Sequence, residues 1–268
     1  MGKKIIFRTI KIIVLVYCLA GIVLFYMQDK LLFHPEPVSA DSTWHFAGPW
    51  KELTVPYSAG SNINIVQFYG EAAVTRGVVL YFHGNKKNIS RYAENAALFT
   101  RNNYEVWMID YPGFGKSTGT FSEQALYDWS LVLYKLARAR FAPGEIVIYG
   151  KSLGSGVAAQ LAAVRDCKRL ILETPYYSFP SIVGSWLPFY PVNNMIRFKI
   201  PTWSYLEKVT APVTVFHGTD DWTIPLRNAQ KLTPYLKKED EFIVIENGRH
   251  NDLTDFPLFQ ERLDIALK

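Results

Sequence analysis

Cysteine is scarce in this chain of 268 residues, which has only Cys18 and Cys167. Two cysteines cannot make a disulfide framework or a cysteine-based zinc site. Because no His-Glu-x-x-His or comparable ligand spacing is present either, we expect no metal and no cofactor. Charged residues make up 20% and apolar residues 49%, a balance that excludes disorder as the main state. The length fits one large domain and is too short for two of ordinary size.

The first 28 residues contain no acidic side chain, and residues 12–28 contain no charge at all. This run is about as long as a bilayer core requires of a helix. Four basic residues precede it, so the positive-inside rule predicts a cytoplasmic N-terminus and an extracytoplasmic main domain. A cleaved signal peptide with its small residue at Ala20 is the alternative, but the apolar run continues to Phe25. We therefore interpret residues 1–28 as an uncleaved membrane anchor.

Excess charge is also absent from the rest of the chain. The net charge of +5 includes four basic residues in the anchor, and the remainder has 25 basic against 24 acidic residues, a net charge of +1. A domain so close to neutrality offers no electrostatic footprint for nucleic acid. The excess positive charge lies in the anchor and indicates its orientation in the membrane, and we expect no nucleic-acid partner.

Residues 29–51 form a proline-containing connector, and residues 52–268 show the pattern of one domain. Short apolar runs there alternate with stretches of helical spacing, which predicts an open, mostly parallel α/β sheet whose first two strands form an antiparallel hairpin. The predicted strands are Glu52–Tyr57, Ile63–Tyr69, Val78–Phe82, Glu105–Asp110, Glu145–Tyr149, Leu170–Glu173, Val213–Phe216 and Phe242–Ile245. The predicted helices are Ser90–Arg101, Ser122–Arg140, Leu153–Val164, Leu226–Leu236 and Pro257–Ala266.

The segment 174–209 does not follow this alternation of strands and helices. It has nine aromatic residues from Tyr176 to Tyr205 and no clear strand or long helix pattern. A packed loop excursion is one interpretation. A lid over a hydrophobic substrate pocket is another, because the segment directly follows a central strand. We predict substrate contacts from its aromatic side chains and from one in a later loop. These are Tyr176, Tyr177, Trp186 and Trp222.

The strongest local signal is Gly150-Lys151-Ser152-Leu153-Gly154, which lies between a predicted strand and a predicted helix. This G-x-S-x-G context is typical of a sharp turn that exposes a nucleophilic serine. A serine hydroxyl needs a base, and the acid and histidine follow the serine in chain order in such folds. His217 directly follows a strand, whereas His250 lies in a loop after the last strand. We therefore predict His250 as the base for Ser152.

The loop after the Val213–Phe216 strand offers two adjacent carboxylates as the orienting acid. We choose Asp221, treat Asp220 as a turn or cap residue, and keep Glu173 as the reserve. Acyl transfer also needs two N–H donors for its oxyanion. We predict the backbone amides of Leu153, which follows the nucleophile, and Asn85, in the His-Gly-Asn loop after a central strand.

Gly-Lys-Ser occurs twice, at Gly115 and at Gly150, but neither site is a phosphate-binding loop. That motif needs a further glycine five positions earlier, where this chain has Asp110 and Glu145.

With these residues assembled, the chain resembles serine hydrolases of the α/β-hydrolase superfamily, and more narrowly the membrane-anchored Bem46/ABHD13-like group with its serine aminopeptidase S33-type domain. The resemblance implies a mostly parallel eight-stranded sheet with helices on both faces, preceded by one transmembrane helix. It also implies a triad of Ser152, Asp221 and His250 with Asn85 and Leu153 in the oxyanion hole, but no particular substrate. The matching segments are 29–35, 83–85, 110–117, 150–154, 173–175, 217–221 and 248–251.

One departure from the family pattern is Lys86-Lys87 after His-Gly-Asn, where small residues are usual. A solvated pair explains it, and attraction of an anionic substrate group is the alternative. From all this we expect a hydrolase of esters, thioesters or amides of a small or lipid-like acyl substrate. The alternatives are an aminopeptidase, which should need an acidic patch for the substrate amine, and a non-catalytic anchored binding protein.

Overall fold

The computed structural model describes residues 2–72 and 74–268. Met1 and Ala73, which fall within the predicted anchor and the predicted main domain, lie outside the described residues. The helices are α1 (Gly2–Leu32), α2 (Ala97–Thr100), α3 (Glu123–Arg138), α4 (Leu153–Val164), α5 (Phe179–Trp186), α6 (Val192–Met195), α7 (Thr202–Leu206), α8 (Leu226–Ala229) and α9 (Pro257–Ala266).

Helix α1 continues four residues past the end predicted for the anchor. With a rise of 1.5 Å per residue it is about 46 Å long, and it is long and apolar enough to cross a membrane. Membrane anchors and signal sequences share these properties. After the helix, His34–Pro35 pairs in parallel with Lys86–Lys87, so part of the connector lies beside the His-Gly-Asn loop. Both lysines are exposed, as expected for a solvated pair.

The strands of the main sheet are β1 (Trp50–Ser58), β2 (Ser61–Phe68), β3 (Gly77–Phe82), β4 (Tyr104–Ile109), β5 (Ile146–Lys151), β6 (Arg169–Glu173), β7 (Val213–Gly218) and β8 (Glu241–Ile245). Each strand begins and ends within two residues of its predicted bounds. The eight strands lie in the order β1-β2-β4-β3-β5-β6-β7-β8. The first two interfaces are antiparallel and the others are parallel.

Helices cover both faces of the sheet, which explains why strands β3, β4, β5 and β7 are buried at every position. On one face, α3 and α4 contribute side chains such as Trp129 and Val157 to the larger of two hydrophobic clusters. On the other face, α2 and α9 contribute Phe99 and Phe259 to the second cluster. The carboxyl ends of the parallel strands are thereby left as the edge at which loops converge.

Two predicted helices form only in part. The segment predicted as Ser90–Arg101 consists of two short 3₁₀ turns before α2, the first of which is capped by the Asn88 side chain. The segment predicted as Leu226–Leu236 continues from α8 as a 3₁₀ helix that contains Pro234. Proline has no N–H to donate and its ring clashes with the preceding turn, so a regular α-helix cannot continue there.

The segment 174–209, named here the cap segment, folds into the three short helices α5, α6 and α7. Phe179 and Phe198 of this segment pack against Phe33, the residue that follows α1. Ser178 caps α5 by accepting a hydrogen bond from the Ser181 N–H at 3.3 Å. The prolines keep the helices short, and the aromatic side chains bring the cap segment into contact with the end of α1.

Candidate active site

Ser152 lies at the sharp turn between β5 and α4, with a backbone φ of 51° and ψ of −118°. A β-carbon at Gly150 would overlap the carbonyl oxygen of Gly154, and one at Gly154 would overlap that of Phe82. The turn therefore fits against its neighbours only if glycine flanks the serine on both sides. This steric requirement accounts for the spacing of the G-x-S-x-G motif.

His250 lies between Ser152 and Asp221 and contacts both. Its Nδ1 is 2.7 Å from Asp221 Oδ2, and its Nε2 is 2.9 Å from Ser152 Oγ. A carboxylate only accepts hydrogen bonds, so Nδ1–H donates to Asp221 and the Nε2 of a neutral imidazole accepts from the serine hydroxyl. The structure thus brings together the three side chains that the sequence predicted, each from a loop at the carboxyl end of a strand. Their catalytic role stays a prediction.

The Asp221 carboxylate is held by its own loop. Its Oδ1 accepts the backbone N–H groups of Thr223 and Ile224, both at 2.8 Å, which leaves Oδ2 for His250. Asp220, by contrast, is exposed. The carboxylate of Glu173, the reserve candidate, accepts hydrogen bonds from Lys151 and Tyr149 instead. The choice of Asp221 therefore agrees with the hydrogen bonding.

His217 is buried directly behind this acid. Its Nε2 is 2.8 Å from the carbonyl oxygen of Ile224 and 3.5 Å from Asp221 Oδ2. Burial lowers the pKa of His217, because the charged imidazolium loses its hydration, although the nearby Asp221 carboxylate acts in the opposite direction. A neutral His217 with its proton on Nε2 donates to Ile224 and supports the loop that carries the acid.

Asn85 and Leu153, the predicted oxyanion-hole residues, line the same cavity as Ser152. Leu153 is the first residue of α4, where backbone N–H groups have no partner within the helix. The carbonyl oxygen of Asn85 accepts from His34 N–H at 3.0 Å, and its side chain donates to the Leu32 carbonyl oxygen at 2.6 Å. These two contacts fix the orientation of the Asn85 residue against the connector.

The Asp110–Ser117 motif, which is not a phosphate loop, supports the His-Gly-Asn loop. Tyr111 donates its hydroxyl to the His83 carbonyl oxygen at 2.8 Å. Asp110 Oδ1 accepts from Ile89 N–H at 2.9 Å and lies 3.3 Å from His83 Nε2. Burial raises the pKa of Asp110, partly offset by these hydrogen-bond partners. The conformation of the loop that carries Asn85 therefore depends on buried polar contacts.

The predicted substrate-contact residues separate into two groups. Tyr176 and Trp186 line the cavity at Ser152, which has a volume of about 40 Å³. Tyr177 lies outside that lining because its ring stacks against Trp203 of the cap segment. Trp222 also lies outside the lining, on the surface, where the residue is 90% exposed. Further lining residues that the sequence did not single out are Leu32, Phe179, Ile182, Val183, Thr223 and Ile224.

A buried ion pair lies beneath the nucleophile, and the sequence reasoning did not assign it a role. Lys151 Nζ contacts the Glu173 carboxylate, with both side chains at most 5% exposed. The Ser152 N–H donates to the Glu173 carbonyl oxygen at 2.9 Å. A lysine in the strand before the serine and a glutamate at the end of the adjacent parallel strand were the available signals, since register pairs Lys151 with Glu173.

In residues 2–72 and 74–268, no three His, Cys, Asp or Glu side chains are grouped so that they could hold a metal ion. The chemistry that this arrangement supports is nucleophilic attack by a serine whose proton a histidine accepts.

Parts of this sequence are similar to known proteins. A sequence model of the serine aminopeptidase S33 family matches residues 73–191. Protein YfhR of Escherichia coli K12 is 27% identical over 237 residues, which are 85% of this chain and 79% of that protein. Alpha/beta hydrolase domain-containing protein 17C of Xenopus tropicalis is 30% identical over 193 residues, which are 70% of this chain and 61% of that protein.

Solved structures show the same fold at low identity. An esterase from Pyrococcus furiosus superposes with a TM-score of 0.68 and 16% identity, covering 88% of this chain and 97% of its own. A cold-adapted esterase from an Arctic intertidal metagenomic library gives a TM-score of 0.64 and 20% identity, over 86% and 99% of the two chains. The predicted fold class is confirmed. Together with this fold, the family-model match and the similarity to an alpha/beta hydrolase domain-containing protein point to the α/β-hydrolase superfamily.

Proposed function

We propose that this protein is a serine hydrolase that cleaves an ester or thioester bond of an acyl substrate through an acyl-enzyme. The observation that carries the proposal is the continuous hydrogen-bonded series from Ser152 through His250 to Asp221. A nucleophile within 2.9 Å of a base that is itself oriented by a buried carboxylate is the arrangement that activates a serine hydroxyl.

In the first half of the proposed reaction, Ser152 Oγ bonds to the substrate carbonyl carbon while its proton moves to His250 Nε2. The resulting oxyanion accepts the N–H groups of Leu153 and Asn85. The bond from carbon to the leaving oxygen or sulfur then breaks, and the leaving group takes the proton from His250. Asp221 keeps the proton of the imidazole on Nδ1 and stabilises the imidazolium.

In the second half, His250 accepts a proton from water, and the water oxygen attacks the acyl-enzyme. Collapse of the second tetrahedral intermediate returns the proton to Ser152 Oγ and releases the carboxylic acid. Both halves use the same base and the same two amide donors, so no further group is required.

The cavity lining favours an apolar acyl group over a charged one. All side chains that line the cavity at Ser152 are uncharged, and most are apolar. An aminopeptidase needs a carboxylate to hold the substrate amine, so this lining supports an esterase or thioesterase instead. Two of the similar solved structures are those of esterases, which favours the same activity.

We also propose that α1 stays attached as a membrane anchor, with the N-terminus cytoplasmic and the main domain on the other side. Gln28 of α1 is buried, its side-chain oxygen accepts from Arg197 N–H at 2.7 Å, and Asp29 pairs with the Arg197 guanidinium at 2.8 Å. Cleavage after Ala20 would separate these residues from most of their helix. We expect protease added outside intact cells or spheroplasts to digest the main domain, and its complete protection would contradict the topology.

The activity is tested by labelling full-length protein in membranes with a fluorophosphonate probe. We expect wild type to be labelled and the Ser152→Ala and His250→Ala variants to lose labelling. Ser185→Ala and His45→Ala, which change exposed residues of the same types, are matched controls and should label as wild type. Absence of labelling in well-folded wild type would contradict an activated serine.

A further inference from the structure

A second cavity, of about 190 Å³, lies between α1 and the cap segment. Its walls are almost entirely apolar and include Leu24, Leu31, Trp186 and Met195. Gln28 lines the cavity too, and its amide nitrogen donates to the carbonyl oxygens of Phe25 and Met195 at 2.7 and 3.2 Å. The hydroxyl of Tyr190, another lining residue, donates to the Tyr17 carbonyl oxygen at 3.1 Å. With the amide and the hydroxyl engaged in this way, the cavity presents a hydrocarbon surface to any occupant.

This cavity adjoins the cavity at Ser152. Leu32, Val183 and Trp186 line both, so these three side chains form the boundary between them. An acyl group attached to Ser152 reaches the second cavity only by passing these three side chains, and it would then lie between α1 and α5. The residues from Leu24 to Leu32 that border the second cavity cover about 12 Å along the helix axis, which is room for an extended alkyl chain beyond the catalytic serine.

The cap segment also reaches along α1 toward the middle of its uncharged stretch. Tyr17 donates to the Phe189 carbonyl oxygen at 2.7 Å, and its ring stacks on Tyr190 at 4.5 Å between centroids. Phe189 is 85% exposed and Trp186 is 50% exposed, in a stretch, 186–191, that contains no charge. If α1 crosses a bilayer, this apolar tip lies beside it at the depth of the lipid chains.

We propose that the cavity between α1 and the cap segment binds an acyl chain of a bilayer lipid and guides its ester to Ser152 without passage through water. This inference rests on the proposed hydrolase function for the reaction at Ser152, and on the cavity alone for the binding. In this arrangement α1 forms one wall of the substrate site in addition to anchoring the protein. For an ester that reaches the cavity from water, each methylene that the cavity buries raises binding by about fourfold.

The binding is tested without catalysis. The full-length Ser152→Ala variant is placed in phosphatidylcholine vesicles that contain phosphatidylcholine with a diazirine near the end of one palmitoyl chain, and photolabelled peptides are identified. We expect labels on 24–32 and 183–196, reduced at least fivefold by Leu24→Trp, which fills the cavity. Leu19→Trp is the matched control, since Leu19 is 54% exposed on the opposite side of α1 and should not change the labels.

Labels confined to the exposed side of α1, or cavity labels that Leu24→Trp leaves unchanged, would overturn the proposal. So would equal labelling of the cavity by a water-soluble butyryl diazirine probe, because it would assign the site to soluble ligands. These outcomes do not depend on turnover, so an inactive protein would contradict the hydrolase function while the binding is still decided.

The proposal is tested a second time by measuring ester hydrolysis in the catalytically intact protein. We expect Leu24→Trp to lower kcat/KM at least tenfold for a palmitoyl ester while leaving a butyryl ester within about twofold, and Leu19→Trp to change neither. Equal losses for both esters would contradict a chain-binding role for the cavity.

Discussion

Two unlike regions meet at Ser152, and we name them the polar wall and the apolar wall. On one side, Ser152, His250 and Asp221 are fixed by hydrogen bonds of defined length and direction, with Asp221 held by two backbone amides. On the other side, Leu32 and the α5 side chains are held by apolar packing, which has no preferred direction. The comparison indicates that changes to the polar wall should affect the chemistry, whereas changes to the apolar wall should affect stability and choice of substrate.

The largest expected effect is from Asp221→Asn. The amide would no longer accept the Nδ1–H of His250 as a carboxylate does, so the imidazole would lose its orientation and its charge partner. We expect kcat/KM for a short soluble ester to fall by about 10⁴-fold. Asp220→Asn, at an exposed neighbour, is the control and should remain near wild type; a loss below tenfold for Asp221→Asn would argue against the assigned acid.

Lys151→Met tests the support beneath the polar wall. It leaves the buried Glu173 carboxylate without its cation, so we expect the free energy of unfolding to fall by about 3–5 kcal/mol in denaturant titrations. Adding Glu173→Gln to this variant removes the unpaired charge and should restore most of the lost free energy of unfolding. If Lys151→Met alone were as stable as wild type, the ion pair with Glu173 would contribute little to stability.

Gly154→Ala tests the close approach of α4 to β3. The new methyl group would overlap the Phe82 carbonyl oxygen, and we expect a loss of about 1–3 kcal/mol in stability together with reduced labelling of Ser152. Gly144→Ala is the matched control, because a β-carbon there meets no atom within 4 Å. Equal melting temperatures for the two variants would contradict the steric account of the motif.

The smallest effect is expected on the apolar wall. Ile182→Val removes one methyl group from α5 and should cost about 0.5–1.5 kcal/mol in stability. Because Ile182 contacts no reacting atom in the proposed mechanism, kcat/KM for a short ester should stay within about twofold of wild type. An activity loss approaching that of Asp221→Asn would remove the distinction between the two walls.

Much of the fold was predictable from the sequence, because buried parallel strands are apolar at consecutive positions and each has a recognisable start and end. The long helix α3 and the two helices α4 and α9 were predictable by their periodicity. The partly formed helices at Ser90–Arg101 and Leu226–Leu236 were not, since side-chain capping and an internal proline favour 3₁₀ turns there. This local competition between an α-helix and 3₁₀ turns does not change the spacing of the apolar residues, so the spacing could not reveal it.

The sequence by itself predicted the chain order of the candidate site: a serine at a glycine-flanked turn, then an acid and a histidine in loops after later strands. Short-range sterics and chain order are enough for that. Only the tertiary structure decided that Leu32 and α5 line the cavity, that Tyr177 and Trp222 lie outside it, and that α1 borders a second cavity. Those contacts join segments about 150 residues apart. Because apolar packing is non-directional, it requires no particular sequence motif, and the contacts could not be predicted from the sequence.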